Sequence, residues 1–139
     1  MLTWFNHEFC SNIPATRHFY SELVGLELVW DEPDSVAFVH GSLQIAFSES
    51  TEIEAPDGWA LQPGWGFEQV PLKESPEKRS SWSIALEPRQ FREAVERMRG
   101  ADVEKLWDEP VWVGYWSFVV KDPDGDTVEL SDPMSERLT

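Results

Sequence analysis

LVWDEP occupies residues 28–33, and KLWDEP occupies residues 105–110. The shared Trp-Asp-Glu-Pro stands at 30–33 and again at 107–110. Each copy follows a helix-like stretch that ends on a glycine, Gly25 in the first half and Gly100 in the second. A short match at equivalent places in two halves of a chain points to duplication of a structural unit.

Working outward from each copy gives the unit. In the first half, residues 1–11 read as a strand, and Asn12 can cap a helix with Pro14 in its first turn. ATRHFYSELV then runs to Gly25, a residue suited to a helix C-terminus. Strand-like LELVW (26–30), SVAFVH (35–40) and SLQIAFS (42–48) follow, with WDEPD and His40-Gly41 as turns. Alternation in the last of these puts Leu43, Ile45 and Phe47 on one face, and Gln44, Ala46 and Ser48 on the other. The second half repeats the order. WSIALE (82–87) is a strand, and Pro88 opens a helix with an apolar face of Phe91, Ala94, Val95 and Met98. DVEKLW (102–107), GYWSFVVK (114–121) and DTVELSD (126–132) are the next three strands. The expected fold class is α+β, with two βαβββ modules and helices near 13–24 and 88–99.

Between the modules, residues 49–80 hold no sustained periodicity, and Glu, Pro, Gly and Ser dominate them. A loop this long is usually functional or a linker. Trp59, Trp65 and Phe67 argue against a floppy linker, because disordered segments are poor in aromatics. The expected organisation is one domain over 1–139: a first module at 1–48, a connecting loop or lid at 49–80, and a second module at 81–134.

Composition bounds the function. The 139 residues suit a single domain, and 41% are apolar, enough for a real core. No run approaches the roughly 18 apolar residues of a membrane span, and the N-terminus does not read as a signal peptide. Cys10 is the only cysteine, which excludes an intrachain disulfide and fits a reducing, cytoplasmic setting. The formal charge of −15, from 26 acids against 11 bases, argues against a nucleic-acid partner. It suits a solvated surface, or a field that draws cationic ligands. Neither a Gly-rich phosphate loop, a G-x-S-x-G elbow nor a CxxC pair is present.

Two stretches resemble a known family. NIPATRHFYSELVGLE (12–27) is similar to the first helix of the vicinal oxygen chelate superfamily, the glyoxalase/bleomycin-resistance fold. KDPDGDTVEL (121–130) is similar to its last hairpin, where Asp-Pro-Asp-Gly precedes a strand carrying Glu. The resemblance implies two curved sheets, each with a helix on its outer face, around a cleft lined by their open faces. It also implies where a metal would sit. Glu129 matches the ligand on the last strand. Its counterpart in the first module falls at Ala46, which has no donor. The remaining positions fall at about Ser83 and near Phe5, with His7 two residues later on the same strand face.

Two functional readings follow. In the first, the chain is a metal-free small-molecule-binding protein of the bleomycin-resistance type, without a cofactor, which sequesters a cationic or aromatic ligand. Its ligand-binding residues are Glu129, His7, Phe5, Phe9, Gln44, Trp59, Trp65, Trp82 and Trp116. In the second, it is a divergent divalent-metal lyase, isomerase or dioxygenase-like enzyme, with a relocated site of His7, Gln44 and Glu129. The bland readings of these residues are an interior, hydrogen-bonded His7, a surface or groove His18, a structural His40, and core positions for Tyr115, Trp116 and Phe118. Trp82 suits either core or cleft. Exposed edges of small curved sheets invite pairing, so a homodimer with an aromatic, apolar interface is expected.

Overall fold

The computed structural model describes residues 1–56, 58–60 and 81–137. These divide into two compact units, 1–54 and 55–139. Each holds a four-stranded sheet, and both sheets have the same plan.

The first unit runs β1 (Trp4–Cys10), α1 (Ile13–Arg17), β2 (Glu27–Glu32), β3 (Ser35–His40) and β4 (Leu43–Glu49), with strand order β1-β4-β3-β2. β1 is parallel to β4, and the other pairs are antiparallel. Asn12 caps α1, its side-chain oxygen accepting the Ala15 N–H at 3.0 Å, as its position before Pro14 predicts. Beyond Arg17 the helix widens to a π-type coil over His18–Val24. It ends at Gly25, where φ is 95°, a left-handed value that glycine adopts at little cost. The coil turns Tyr20 onto the sheet, with its ring stacked on Phe47 at 4.9 Å and tilted against Phe38 at 5.5 Å. Tyr20, Phe38, Phe47, Ile13 and Ile45 are fully buried and form this unit's core.

The second unit runs β5 (Trp82–Ala85), α2 (Pro88–Arg99), β6 (Val111–Trp112), β7 (Trp116–Lys121) and β8 (Thr127–Asp132), with order β5-β8-β7-β6. α2 buries Phe91, Ala94, Val95 and Met98, the apolar stripe expected of it. The stripe meets the apolar side of the sheet, where Ile84, Phe118, Val120, Val128 and Leu130 are all buried.

The second module departs from the expected pattern at one edge. DVEKLW does not form a strand: only Lys105 bridges to β7, opposite Val120. The chain then loops out through 107–110 and rejoins the edge as β6, where Val111 pairs with Ser117 and Trp112 with Trp116. The second Trp-Asp-Glu-Pro is therefore an excursion from a broken edge strand. In the first copy, Trp30, Asp31 and Glu32 lie inside β2. An edge strand has one partner only, so a proline and two acids can leave the ladder without stripping a second strand of its hydrogen bonds; β2 holds the same edge of its own sheet and stays paired, so the edge position permits the excursion without dictating it.

Among the described residues, no helix is long and apolar enough to cross a membrane.

Candidate functional site

Each sheet has one side covered by its helix and one side that is not, and the uncovered sides carry the candidate site residues. Register assigns the faces. In the first unit, Phe5 lies beside Gln44, His7 beside Ala46 and Phe9 beside Ser48 along the β1–β4 pair. Ala46 pairs with Ala37, Gln44 with Val39 and Ser48 with Ser35 along β3–β4. Trp30 pairs with Ala37, just after a register shift between Leu28 and Trp30. Phe5, His7, Phe9, Gln44, Ala46, Ala37, Ser35 and Trp30 thus share one face. Asn6, Glu8 and Cys10 point to the helix side, and of these only Cys10 is fully buried.

This face is a trough. Its floor is made of small side chains, Ala37, Ala46, Ser35 and Ser48, and its sides are large and exposed. Phe5 is 57% exposed and Phe9 64% on one margin, and Trp30 is 53% exposed on the other. A cavity of about 440 Å³ opens between Val29 and Trp30 on β2 and the Gln44–Ser48 stretch of β4. Among the described residues no charged side chain lines it. The Trp30 indole N–H donates to the Ser35 hydroxyl at 3.0 Å, which fixes the ring as one wall. At the hairpin tip beside this wall Asp31 pairs with Arg17 at 2.7 Å, while Glu32 and Asp34 are exposed.

The corresponding face of the second unit is polar and closed. The turn at 122–126 sets it. Asp122 accepts the backbone N–H of Asp124 and of Asp126, each at 3.0 Å, and this Asx arrangement fixes Lys121 opposite Thr127. A β-carbon on Gly125, where φ is 83°, would lie 3.3 Å from Ala55 and Pro56, so a larger residue there would strain the backbone and crowd that segment. From this register, Ser117, Val119 and Lys121 on β7 share a face with Thr127, Glu129 and Ser131 on β8, and with Ser83 on β5. Glu129 is only 7% exposed. Its carboxylate accepts the Ser117 hydroxyl at 2.5 Å and the Tyr115 hydroxyl, which stands 3.0 Å from both oxygens. The residues before β5 help close this face: the Ala60 N–H donates to the Thr127 hydroxyl at 2.8 Å. The Trp59 ring lies 5.2 Å from the Lys121 ammonium, which also pairs with Glu104 at 3.2 Å.

The expected site residues therefore separate by unit. Phe5, His7, Phe9 and Gln44 come together on the first sheet's trough. His7 is exposed rather than an interior histidine, because β1 lies at the edge of its sheet and nothing covers that side of it within the unit. Glu129 lies on the uncovered face of the second sheet, and Trp59 belongs to the same unit through Lys121. Trp82 pairs with Val128, which puts it on the α2 side of β5. Trp116 is also on the α2 side by parity. Its indole donates to the Glu136 carbonyl at 3.1 Å, and its ring meets Trp112 edge-on at 5.5 Å. Trp65 and most of the expected lid lie outside the described residues. Two groups of residues fall outside the expected site, although parity puts Ser48 on the face of Gln44 and Tyr115 is expected in the core. Trp30, Ser35, Ala37 and Ser48 follow from extending the parity of β4 across the hairpin. Tyr115 sits in the β6–β7 turn, where no periodicity marks it.

A metal of the family's kind needs about three strong donors around an open position. Among the described residues there is no group of three or more His, Cys, Asp or Glu side chains placed to hold an ion. Ala46 offers no donor, and the Ser83 hydroxyl turns to Ser131 at 3.4 Å. Among the described residues the donor set does not fit such a metal.

Comparison with known proteins gives the class. Residues 7–130 match the model of the glyoxalase/bleomycin resistance protein/dioxygenase superfamily. The chain belongs to that superfamily, in agreement with its two βαβββ units. Solved structures of similar fold include a glyoxalase/dioxygenase from Nostoc punctiforme, at a TM-score of 0.70 and 16% identity over 92% of this chain and 88% of that one. A lactoylglutathione lyase from Agrobacterium tumefaciens is similar at 0.60 and 17%, over 94% and 92%. A bleomycin resistance determinant encoded on the transposon Tn5 is similar at 0.61 and 14%, over 97% and 100%. Identities this low establish the fold alone. No curated protein matches the sequence.

Proposed function

We propose that this protein is a metal-free binder of a small, flat, cationic or aromatic molecule, held in the trough of the first sheet. The observation that supports it best is the cavity beside Trp30: an aromatic wall over a floor of alanines and serines, with no charged group among the described residues of its lining. A flat ring can lie on small side chains and stack against the indole, while Gln44 and the serine hydroxyls orient its polar edge. The charge of −15, with Glu32 and Asp34 exposed at the hairpin tip, draws cations and repels anions over long range. Cation–π contact with Trp30 then adds about 1 kcal/mol or more once water is excluded. Phe5, His7 and Phe9 extend the trough. In this reading the protein works in the cytoplasm as a homodimer with an aromatic, apolar interface.

The test is a titration with two dyes of opposite charge, thioflavin T as a planar cation and 1-anilinonaphthalene-8-sulfonate as an apolar anion. Thioflavin T should quench tryptophan fluorescence in a saturable way, and Trp30→Ala should weaken its binding about tenfold, the loss of roughly 1.4 kcal/mol. Equal binding of both dyes, or thioflavin T binding that ignores Trp30→Ala, would remove the proposal.

A further inference from the structure

Glu129 is a nearly buried carboxylate, and among the described residues it forms no ion pair with lysine, arginine or histidine. Its partners are hydroxyls, and their geometry is informative. The Tyr115 oxygen stands 3.0 Å from one carboxylate oxygen and 3.0 Å from the other. Equal distances put it on the plane that bisects the carboxylate, facing both oxygens. A cation bound in bidentate fashion approaches a carboxylate from that same direction. The Ser117 hydroxyl then takes the flank of one oxygen at 2.5 Å. We infer that Tyr115 stands in for a cation at Glu129, and that the Tyr115–Ser117 clamp closes this carboxylate to metal ions.

The local fold builds the clamp deliberately enough to be tested. Gly114, with φ of 104°, lets the β6–β7 turn fold so that Tyr115 precedes β7 and leans over its face. Ser117 lies two residues on and shares the face of Val119, the cross-strand neighbour of Glu129. A metal ion here would have to displace the phenol and strip a short hydrogen bond. Among the described residues it would gain a single carboxylate, since Ser83 flanks Glu129 on the β5 side. The inference concerns the second unit only and stands or falls apart from the ligand site proposed on the first.

Two measurements decide it. Protein dialysed against EDTA and freed of chelator is titrated calorimetrically with zinc chloride and with manganese chloride, as wild type and as Glu129→Gln. The two isotherms should coincide for each metal. Stoichiometric binding by wild type that Glu129→Gln abolishes would overturn the inference. The second measurement is a double-mutant cycle in melting temperature. Tyr115→Phe should lower the Tm by roughly 3–10 °C in the wild-type background, where it leaves Glu129 without its bridging donor. In the Glu129→Ala background it should cost less than half as much, because no acceptor is left for the phenol. Equal losses in both backgrounds would show that the two side chains are not coupled, and the clamp would be refuted. If Tyr115→Phe does not fold, Ser117→Ala is run through the same cycle, and the calorimetric comparison stands unaffected.

Discussion

The two sheets share strand order, connectivity and helix placement, yet their uncovered faces are chemical opposites. The first presents aromatic margins around a shallow floor of Ala37, Ala46 and Ser48, and it leaves Phe5, Phe9 and Trp30 more than half exposed. The second presents serine, threonine and tyrosine hydroxyls around Glu129, and Ser117, Val119, Thr127, Glu129 and Ser131 are all buried. The helix-covered faces do not diverge in this way. Both are packed with Phe, Ile, Val and Leu side chains at zero or near-zero exposure. The contrast separates two tasks that a duplicated unit performs. Burial of the covered face holds each unit together, and the other face is free to change its chemistry while the backbone stays the same.

If that division is right, the covered faces should respond alike. Phe38→Ala in the first unit and Phe118→Ala in the second each remove a fully buried ring. Each should cost about 3–5 kcal/mol, the usual loss for truncating a core phenylalanine. Guanidinium denaturation of both variants measures it. A cost near 1 kcal/mol for either would mean that its core is looser than the burial indicates, and the likeness of the two units would fail at its foundation.

The uncovered faces should respond differently. Glu129→Ala strands the Tyr115 and Ser117 hydroxyls in a closed environment and should cost about 1–3 kcal/mol. Gln44→Ala, on the half-buried floor of the first sheet, should stay within roughly 0.5 kcal/mol, as surface changes usually do. The same denaturation experiment checks both. Equal effects would erase the distinction between a closed polar face and an open trough.

How much of this contrast could be read from the letters depends on how local the information is. The paired βαβββ order was legible because it rests on periodicity, glycine stops and the repeated Trp-Asp-Glu-Pro. SVAFVH came out as a strand at its expected bounds, and the apolar stripe of α2 is buried as expected. The failure at DVEKLW has the opposite origin. Whether an edge segment keeps its ladder is decided by one neighbouring strand and not by its own composition. The same holds for the site. Phe5, His7, Phe9 and Gln44 could be placed on one face because strand parity is a local rule. Tyr115 could not, because its partner Glu129 lies 14 residues away across a hairpin, and turn geometry alone aims the ring. Trp82 and Trp116 were legible as large apolar residues, but their side of the sheet is fixed by cross-strand register, which places both toward α2.

The smallest effect concerns the ends of the equivalent strands β4 and β8. β4 ends on exposed Glu49, whereas β8 ends on Asp132, which is 2% exposed. Asp132 caps the turn that follows, its Oδ1 accepting the backbone N–H of Met134 and of Ser135 at 3.0 Å each. Burial pushes its carboxyl up, but the Ser135 hydroxyl, these two N–H groups and the charge of Arg92 outweigh that and hold it below the ordinary aspartate value. The sign of the consequence is fixed by linkage. A carboxyl whose pKa is lower in the folded chain leaves the unfolded chain binding more protons at acid pH. Its contribution is therefore complete above the unfolded pKa and disappears as pH falls through the folded one. Asp132→Asn keeps one acceptor oxygen and removes the charge, so it should cost about 1 kcal/mol at pH 7. The gap between wild type and variant should narrow as the pH is lowered from 7 toward 3. Denaturant midpoints at a series of pH values measure this. A gap that stays constant, or widens in acid, would show that the carboxylate of Asp132 does not hold the end of β8, and the two strand ends would then differ in exposure alone.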